Sequence, residues 1–115
     1  MKKPFRILLV EDNPGDTRLV REAFCRPAEH AFDLECVERL SDGLDRLKAK
    51  DFDMVYLDLC LPDSCGLETL ARVHSRHPTI PITVFSGIDD ELVRAEAFKA
   101  GAADYVVKGR WPQLM

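Results

Sequence analysis

Asp53-Met54-Val55-Tyr56-Leu57-Asp58-Leu59-Cys60-Leu61-Pro62-Asp63 decides how this chain folds. Residues 54–57 are apolar at every position and stop at an aspartate. A strand apolar on both faces belongs in the centre of a parallel sheet that is covered on both sides. Three other short apolar runs stop in the same way: residues 7–10 at Glu11-Asp12, residues 82–85 at Ser86-Gly87, and residues 105–107 at Lys108-Gly109. In an open parallel α/β sheet the carboxyl ends of neighbouring strands border one crevice, and ligands bind there. The acids Glu11, Asp12 and Asp58, the Ser86 hydroxyl and the Lys108 ammonium therefore converge on one small site. Such a set can hold a divalent cation and a phosphoryl group together.

Helical patterns separate these runs. Asp12-Asn13-Pro14-Gly15-Asp16 has loop chemistry and precedes a helix with Leu19, Val20, Ala23 and Phe24 on one face, ended by Pro27. Phe32-Asp33-Leu34-Glu35-Cys36-Val37 alternates apolar with polar residues, as a half-buried edge strand does. Ser41 can cap a helix striped by Leu40, Leu44 and Leu47. Residues 66–76 predict a helix with Leu67, Leu70 and Val73 inward, halted before Pro78. After the fourth strand, Asp89 or Asp90 caps a helix carrying Leu92, Val93, Ala97 and Phe98, and Gly101 supplies a left-handed terminus. Alternation of strand and helix along the whole chain is the pattern of βαβ units.

At 115 residues there is room for one domain, 1–115, which buries roughly two thirds of its unfolded surface. A net charge of −4 argues against a surface for direct nucleic-acid contact, which needs clustered Lys and Arg. No run approaches the length of a transmembrane helix. The basic start, Met1-Lys2-Lys3-Pro4-Phe5-Arg6, leads into an apolar run too short for a signal-peptide core, so a cytoplasmic location without membrane contact is expected. Cys25, Cys36, Cys60 and Cys65 lack the spacings of a zinc site and are expected to be reduced thiols. His30, His74 and His77 fall outside the strand-end constellation and read as surface residues.

An acid pair, an aspartate, a hydroxyl and a lysine, each after a separate strand, resemble the receiver domain of two-component response regulators from about Arg6 to Gly109. Leu61-Pro62-Asp63-Ser64-Cys65-Gly66-Leu67-Glu68 looks like the stretch that follows the family's phosphorylated aspartate. The resemblance implies a flavodoxin-like, doubly wound five-stranded parallel sheet in the order 2-1-3-4-5. It implies that Asp58 accepts a phosphoryl group from the phosphohistidine of a sensor histidine kinase or phosphotransfer protein, and that contacts with a downstream effector then change. Asp12, Asp58 and the backbone carbonyl of Cys60 would hold Mg2+, with Glu11 acting mainly through water. Ser86 and Lys108 would hold the phosphoryl oxygens, and Tyr105 would turn inward as Ser86 is drawn to them. A carboxylate nucleophile gives an acyl phosphate, after which positioning and charge neutralisation do most of what remains. The chain would be a signalling phosphoacceptor that assists its own phosphorylation, not an enzyme with a separate substrate. Neither Cys60 nor Ile88 is an acid or amide able to orient an attacking water, so autodephosphorylation is expected to be slow.

Other functions fit less well. An aspartyl-phosphate hydrolase would carry a second acid two residues after the nucleophile, where this chain has Cys60. A flavodoxin-like electron carrier would need a phosphate cradle after the first strand, where Glu11-Asp12 would repel one. A receiver that binds partners without phosphorylation would not need the full set of groups. Gly109 stands where the family commonly has proline, so a trans Lys108-Gly109 bond is expected. Only residues 110–115 follow, about one helical turn, so the fifth helix is expected to be short or missing and the domain truncated after its fifth strand. That would leave alternating residues among Ile82, Val84, Val106 and Val107 partly open, and would favour a homodimer with Trp111 in or near the contact. The alternative is a chain lacking a helix that a longer protein possesses.

Overall fold

The computed structural model describes residues 4–24 and 32–108. The expectations for Cys25, Pro27, His30, Gly109, Trp111 and the fifth helix lie outside these residues. In chain order the elements are β1 (Phe5–Val10), α1 (Pro14–Phe24), β2 (Phe32–Val37), α2 (Leu40–Ala49), β3 (Met54–Asp58), β4 (Cys60–Leu61), β5 (Ser64–Cys65), α3 (Leu67–Arg76), β6 (Ile82–Ser86), α4 (Glu91–Lys99) and β7 (Asp104–Val107). Five strands form one sheet in the order β2-β1-β3-β6-β7, every neighbour parallel. This is the expected 2-1-3-4-5 order. The addition is a small antiparallel hairpin, β4-β5, turned by Pro62-Asp63. Proline pre-sets the backbone for the first corner of such a turn.

Side-chain alternation divides the core between the two faces of the sheet. Leu8, Val10, Val55, Leu57, Ile82, Val84 and Tyr105 join the buried residues of α2, α3 and α4. Ile7, Leu9, Tyr56, Phe85 and Val106 join Val20 of α1 and the flanking Phe24 and Phe32. Helices on both faces make the sheet doubly wound. Ile82, Val84 and Val106 are buried, contrary to the expected exposed patch, and Val107 is half-buried. The first two lie under the α3–α4 face, which does not depend on a fifth helix.

Two helix faces and one helix cap differ from the sequence pattern. Leu19 is exposed while Val20 is fully buried. On α4, Val93 and Ala97 share the inward stripe, and Leu92 and Phe98 fall about 100° to either side of it and are exposed. Arg94 covers the outer Phe98 ring at 5.6 Å. Ser41 does not cap α2. The Leu40 and Ser41 N–H groups donate instead to the Asp63 carboxylate from the β4-β5 turn, at 2.8 and 2.9 Å. Asp90 caps α4 as expected, accepting from the Leu92 N–H at 2.8 Å.

Asp63 thus ties the hairpin to the start of α2. The Ser41 backbone N–H, followed by that of Leu40, holds its carboxyl below the ordinary value of 3.8. The folded state therefore takes up this proton less readily than the unfolded chain. The resulting stability is complete above pH 3.8 and disappears as pH falls through the lower folded value. Asp63→Ala is expected to lose about 1 kcal/mol at neutral pH, as for a lost helix cap, and to approach wild type in strong acid. Urea unfolding at both pH values measures it.

Gly101 ends α4 with φ +112°, and a Cβ there would stand 2.6 Å from the His74 ring. Gly101→Ala is expected to cost about 1–3 kcal/mol from the backbone alone. Adding His74→Ala should relieve the clash but not the backbone strain, which denaturant midpoints of the single and double variants would separate.

Candidate functional site

The register brings the strand ends level. Val10 pairs with Leu57, Asp58 with Phe85, and Ser86 with Val107. Two backbone bonds carry the order past the strands: Glu11 N–H to the Val37 carbonyl at 3.0 Å, and Lys108 N–H to the Ser86 carbonyl at 2.7 Å. Glu11, Asp58 and Ser86 are buried, Lys108 is half-buried and Asp12 is exposed. These five residues line one cavity of about 720 Å³. All the groups that the sequence assigns to one site are there.

Lys108 is the hub. Its Nζ lies 2.8 Å from Glu11 Oε2, 2.9 Å from Asp16 Oδ2 and 3.2 Å from Asp58 Oδ2. Burial works against the ammonium, but Glu11, Asp16 and Asp58 outweigh it and hold the lysine above its ordinary pKa. Glu11 moves the other way from most ion-paired acids. Burial, then contact with Asp58, pushes its carboxyl up to about 7 against the pull of Lys108.

Glu11 Oε1 accepts the Asn13 N–H at 3.0 Å. Its Oε2 is close to Lys108 but outside hydrogen-bond geometry, so this buried oxygen has no donor. Carboxylate oxygens of Glu11, Asp12 and Asp58 lie within 4.8 Å of one another. Such a set of carboxylate oxygens suits a hard cation that takes oxygen ligands and keeps some of its water. Asp58 Oδ1 accepts the Cys60 N–H at 3.1 Å, and its Oδ2 takes Lys108, so the carboxylate is oriented from both ends.

Ser86 and Tyr105 meet through one residue. Ser86 Oγ accepts the Ile88 N–H at 3.1 Å, and the Tyr105 hydroxyl donates to the Ile88 carbonyl at 2.7 Å. Tyr105, expected to turn inward as Ser86 moves, is already buried here.

Asp16 went unrecognised in the sequence because an acid in the first turn of a helix is ordinary helix chemistry. Asn13 caps α1: its Oδ1 accepts the Gly15 and Asp16 N–H groups at 2.9 and 3.1 Å. That cap sets the turn that carries Asp16 to Lys108. Cys60 and Cys65 were also missed as neighbours. They face each other across the hairpin with sulfurs 3.0 Å apart, both as free thiols.

Residues 7–114 match the family model described as the response regulator receiver domain. The chain belongs to the response regulator receiver family. The receiver is 34% identical over 103 residues to the transcriptional activator protein IrlR of Burkholderia pseudomallei, covering 90% of this chain and 43% of that protein. It is 32% identical over 108 residues to the methanogenesis regulatory protein FilR1 of Methanothrix harundinacea, covering 90% of this chain and 24% of that protein. The chain therefore spans less than half the length of these curated relatives. Among solved structures it resembles the phosphorylated cyanobacterial phytochrome response regulator RcpA, with a TM-score of 0.84 and 28% identity over 97% of this chain and 86% of that one. The Mn(2+)-bound form of response regulator Rcp1 matches with a TM-score of 0.79 and 26% identity, over 93% and 83% of the two chains. Among the described residues of the receiver, no helix is long and apolar enough to cross a membrane.

Proposed function

We propose that this receiver, acting as one domain, accepts a phosphoryl group on Asp58 from the phosphohistidine of a histidine kinase or phosphotransfer protein. The observation that carries the proposal is the setting of Asp58: buried, oriented by the Cys60 N–H, and 3.2 Å from Lys108. Asp58 Oδ2 is the oxygen with a cation beside it; its attack on phosphorus forms the acyl phosphate as the P–N bond of the phosphohistidine breaks and the donor imidazole leaves. Lys108 then exchanges carboxylate partners for phosphoryl oxygens. Ser86, the last residue of β6, can turn its hydroxyl from the Ile88 N–H to a phosphoryl oxygen. Ile88, held by both Ser86 and Tyr105, passes that turn to Tyr105 and to the start of α4, where an effector protein or domain would sense it.

Glu11, Asp12, Asp58 and the Cys60 carbonyl would hold Mg2+, supported by the mutual approach of the three carboxylates. The cation supplies charge neutralisation between the acids and the incoming phosphoryl oxygens. A Mn(2+)-bound form of Rcp1 and a phosphorylated form of RcpA support the reading that a receiver of this fold takes a divalent cation and a phosphoryl group. Slow autodephosphorylation fits the cavity wall, which presents Cys60 and Ile88 where an acid or amide would be needed to position water.

With magnesium and a small-molecule phosphodonor, wild type is expected to gain one phosphoryl group by intact mass. Asp58→Asn and Asp12→Ala are expected to gain none. An equal gain in Asp58→Asn would remove Asp58 from the role, and normal phosphorylation of Asp12→Ala would reduce the acid pair to a polar loop.

A further inference from the structure

Cys60 and Cys65 are five residues apart and share no familiar cysteine motif. The two-residue turn between Leu61 and Ser64 places them opposite each other on β4 and β5. The Gly66 N–H bonds the Leu59 carbonyl at 2.6 Å, one step outside this pair. Cys60 and Cys65 therefore occupy a non-hydrogen-bonded position of the ladder, where opposed Cα atoms are about 4.5 Å apart and side chains are closest. That separation falls inside the range a disulfide spans. Both residues are exposed, and the sulfurs already touch at 3.0 Å. By contrast, Cys36 is half-buried on β2, with Arg21 against its sulfur at 3.3 Å.

We propose that Cys60 and Cys65 are a reversible disulfide site, closed by hydrogen peroxide and opened by a dithiol. One thiolate attacks a peroxide oxygen, the O–O bond breaks, and a sulfenic acid and hydroxide result. The second thiolate attacks that sulfur, the S–S bond forms and the S–O bond breaks, releasing a second hydroxide. The two thiol protons neutralise the two hydroxides, so two thiols and one peroxide give one disulfide and two waters. Because the ring closed by the bond is short and exposed, the bridge gains little from chain entropy and stays reducible. Bridges of this kind in reducing compartments are transient and redox-sensing.

The position gives the bond a consequence. Cys60 donates its N–H to Asp58, and both cysteines line the cavity that holds Asp58 and Lys108. Oxidation therefore fixes the segment joining Asp58 to α3, while the carboxylates and Lys108 themselves are untouched. The site stands on the hairpin geometry alone and is independent of which acid takes phosphate.

The test is treatment of the full chain with a slight excess of hydrogen peroxide, followed by intact mass and non-reducing peptide mapping. The expected product has lost about 2 Da, carries a linked pair of peptides containing Cys60 and Cys65, and returns to the starting mass with dithiothreitol. Cys60→Ser and Cys65→Ser should each lose this product, leaving a sulfenic acid on the remaining cysteine that dimedone traps. A wild-type chain that forms only sulfenic acid, or links Cys36 or Cys25 in place of this pair, would overturn the proposal. The wild-type map decides even if a variant folds poorly.

Discussion

Lys108 Nζ stands within reach of three carboxylates, at 2.8, 2.9 and 3.2 Å, and the site takes its character from the imbalance of that contact. With Asp12 at the rim, four acids face one ammonium, which leaves three excess negative charges when all are ionised. Two carboxylates 4.8 Å apart repel by about 3–4 kcal/mol at an effective dielectric of about 20. The cluster absorbs part of this by raising the Glu11 pKa to about 7 and keeping Lys108 protonated. A divalent cation would remove most of the remainder. On the proposed reading a phosphoryl group would add further charge and need both cations, which would put acceptance and metal occupancy at one site.

The fold holds this arrangement under repulsion because the strands beneath it are locked. Leu8, Val10, Leu57 and Val84 are buried on one face of the sheet and Ile7, Leu9 and Phe85 on the other. A slip of one residue would exchange the faces of a strand, so the two cores fix the register and the register fixes the level of Glu11, Asp58 and Ser86. The hairpin after Asp58 is anchored separately, by Asp63 to the start of α2 and by the Gly66 N–H to Leu59. Gly66 reaches that bond with φ +87°, a conformation that favours glycine.

The strand ends were legible because parallel strands are marked by continuous apolar runs, and the polar residues that stop them are conspicuous. Glu11, Asp12, Asp58, Ser86 and Lys108 follow from that signal, and the edge position of β2 follows from its alternation of apolar and polar residues. Contacts set by tertiary geometry were not legible. Asp63 caps a helix 22 and 23 residues earlier in the chain, and no local pattern distinguishes it from a turn aspartate. Asp16 looks like any acid near a helix start. Leu92 and Phe98 fit an apolar count for α4 but lie beside its inward stripe, which only the packing of Ala97 reveals. The Cys60–Cys65 pair has a usable signal, two cysteines placed symmetrically about Pro62-Asp63, but it matches none of the standard cysteine spacings.

The central claim is that the strand-end acids carry charge in excess of what Lys108 can neutralise, and that a divalent cation shares the task. Calorimetric titration of magnesium into wild type and Lys108→Ala tests it most directly. Removing the competing ammonium should leave the acids with more uncompensated charge, so Lys108→Ala is expected to bind magnesium more tightly than wild type. Equal or weaker binding by a folded Lys108→Ala chain would contradict the account.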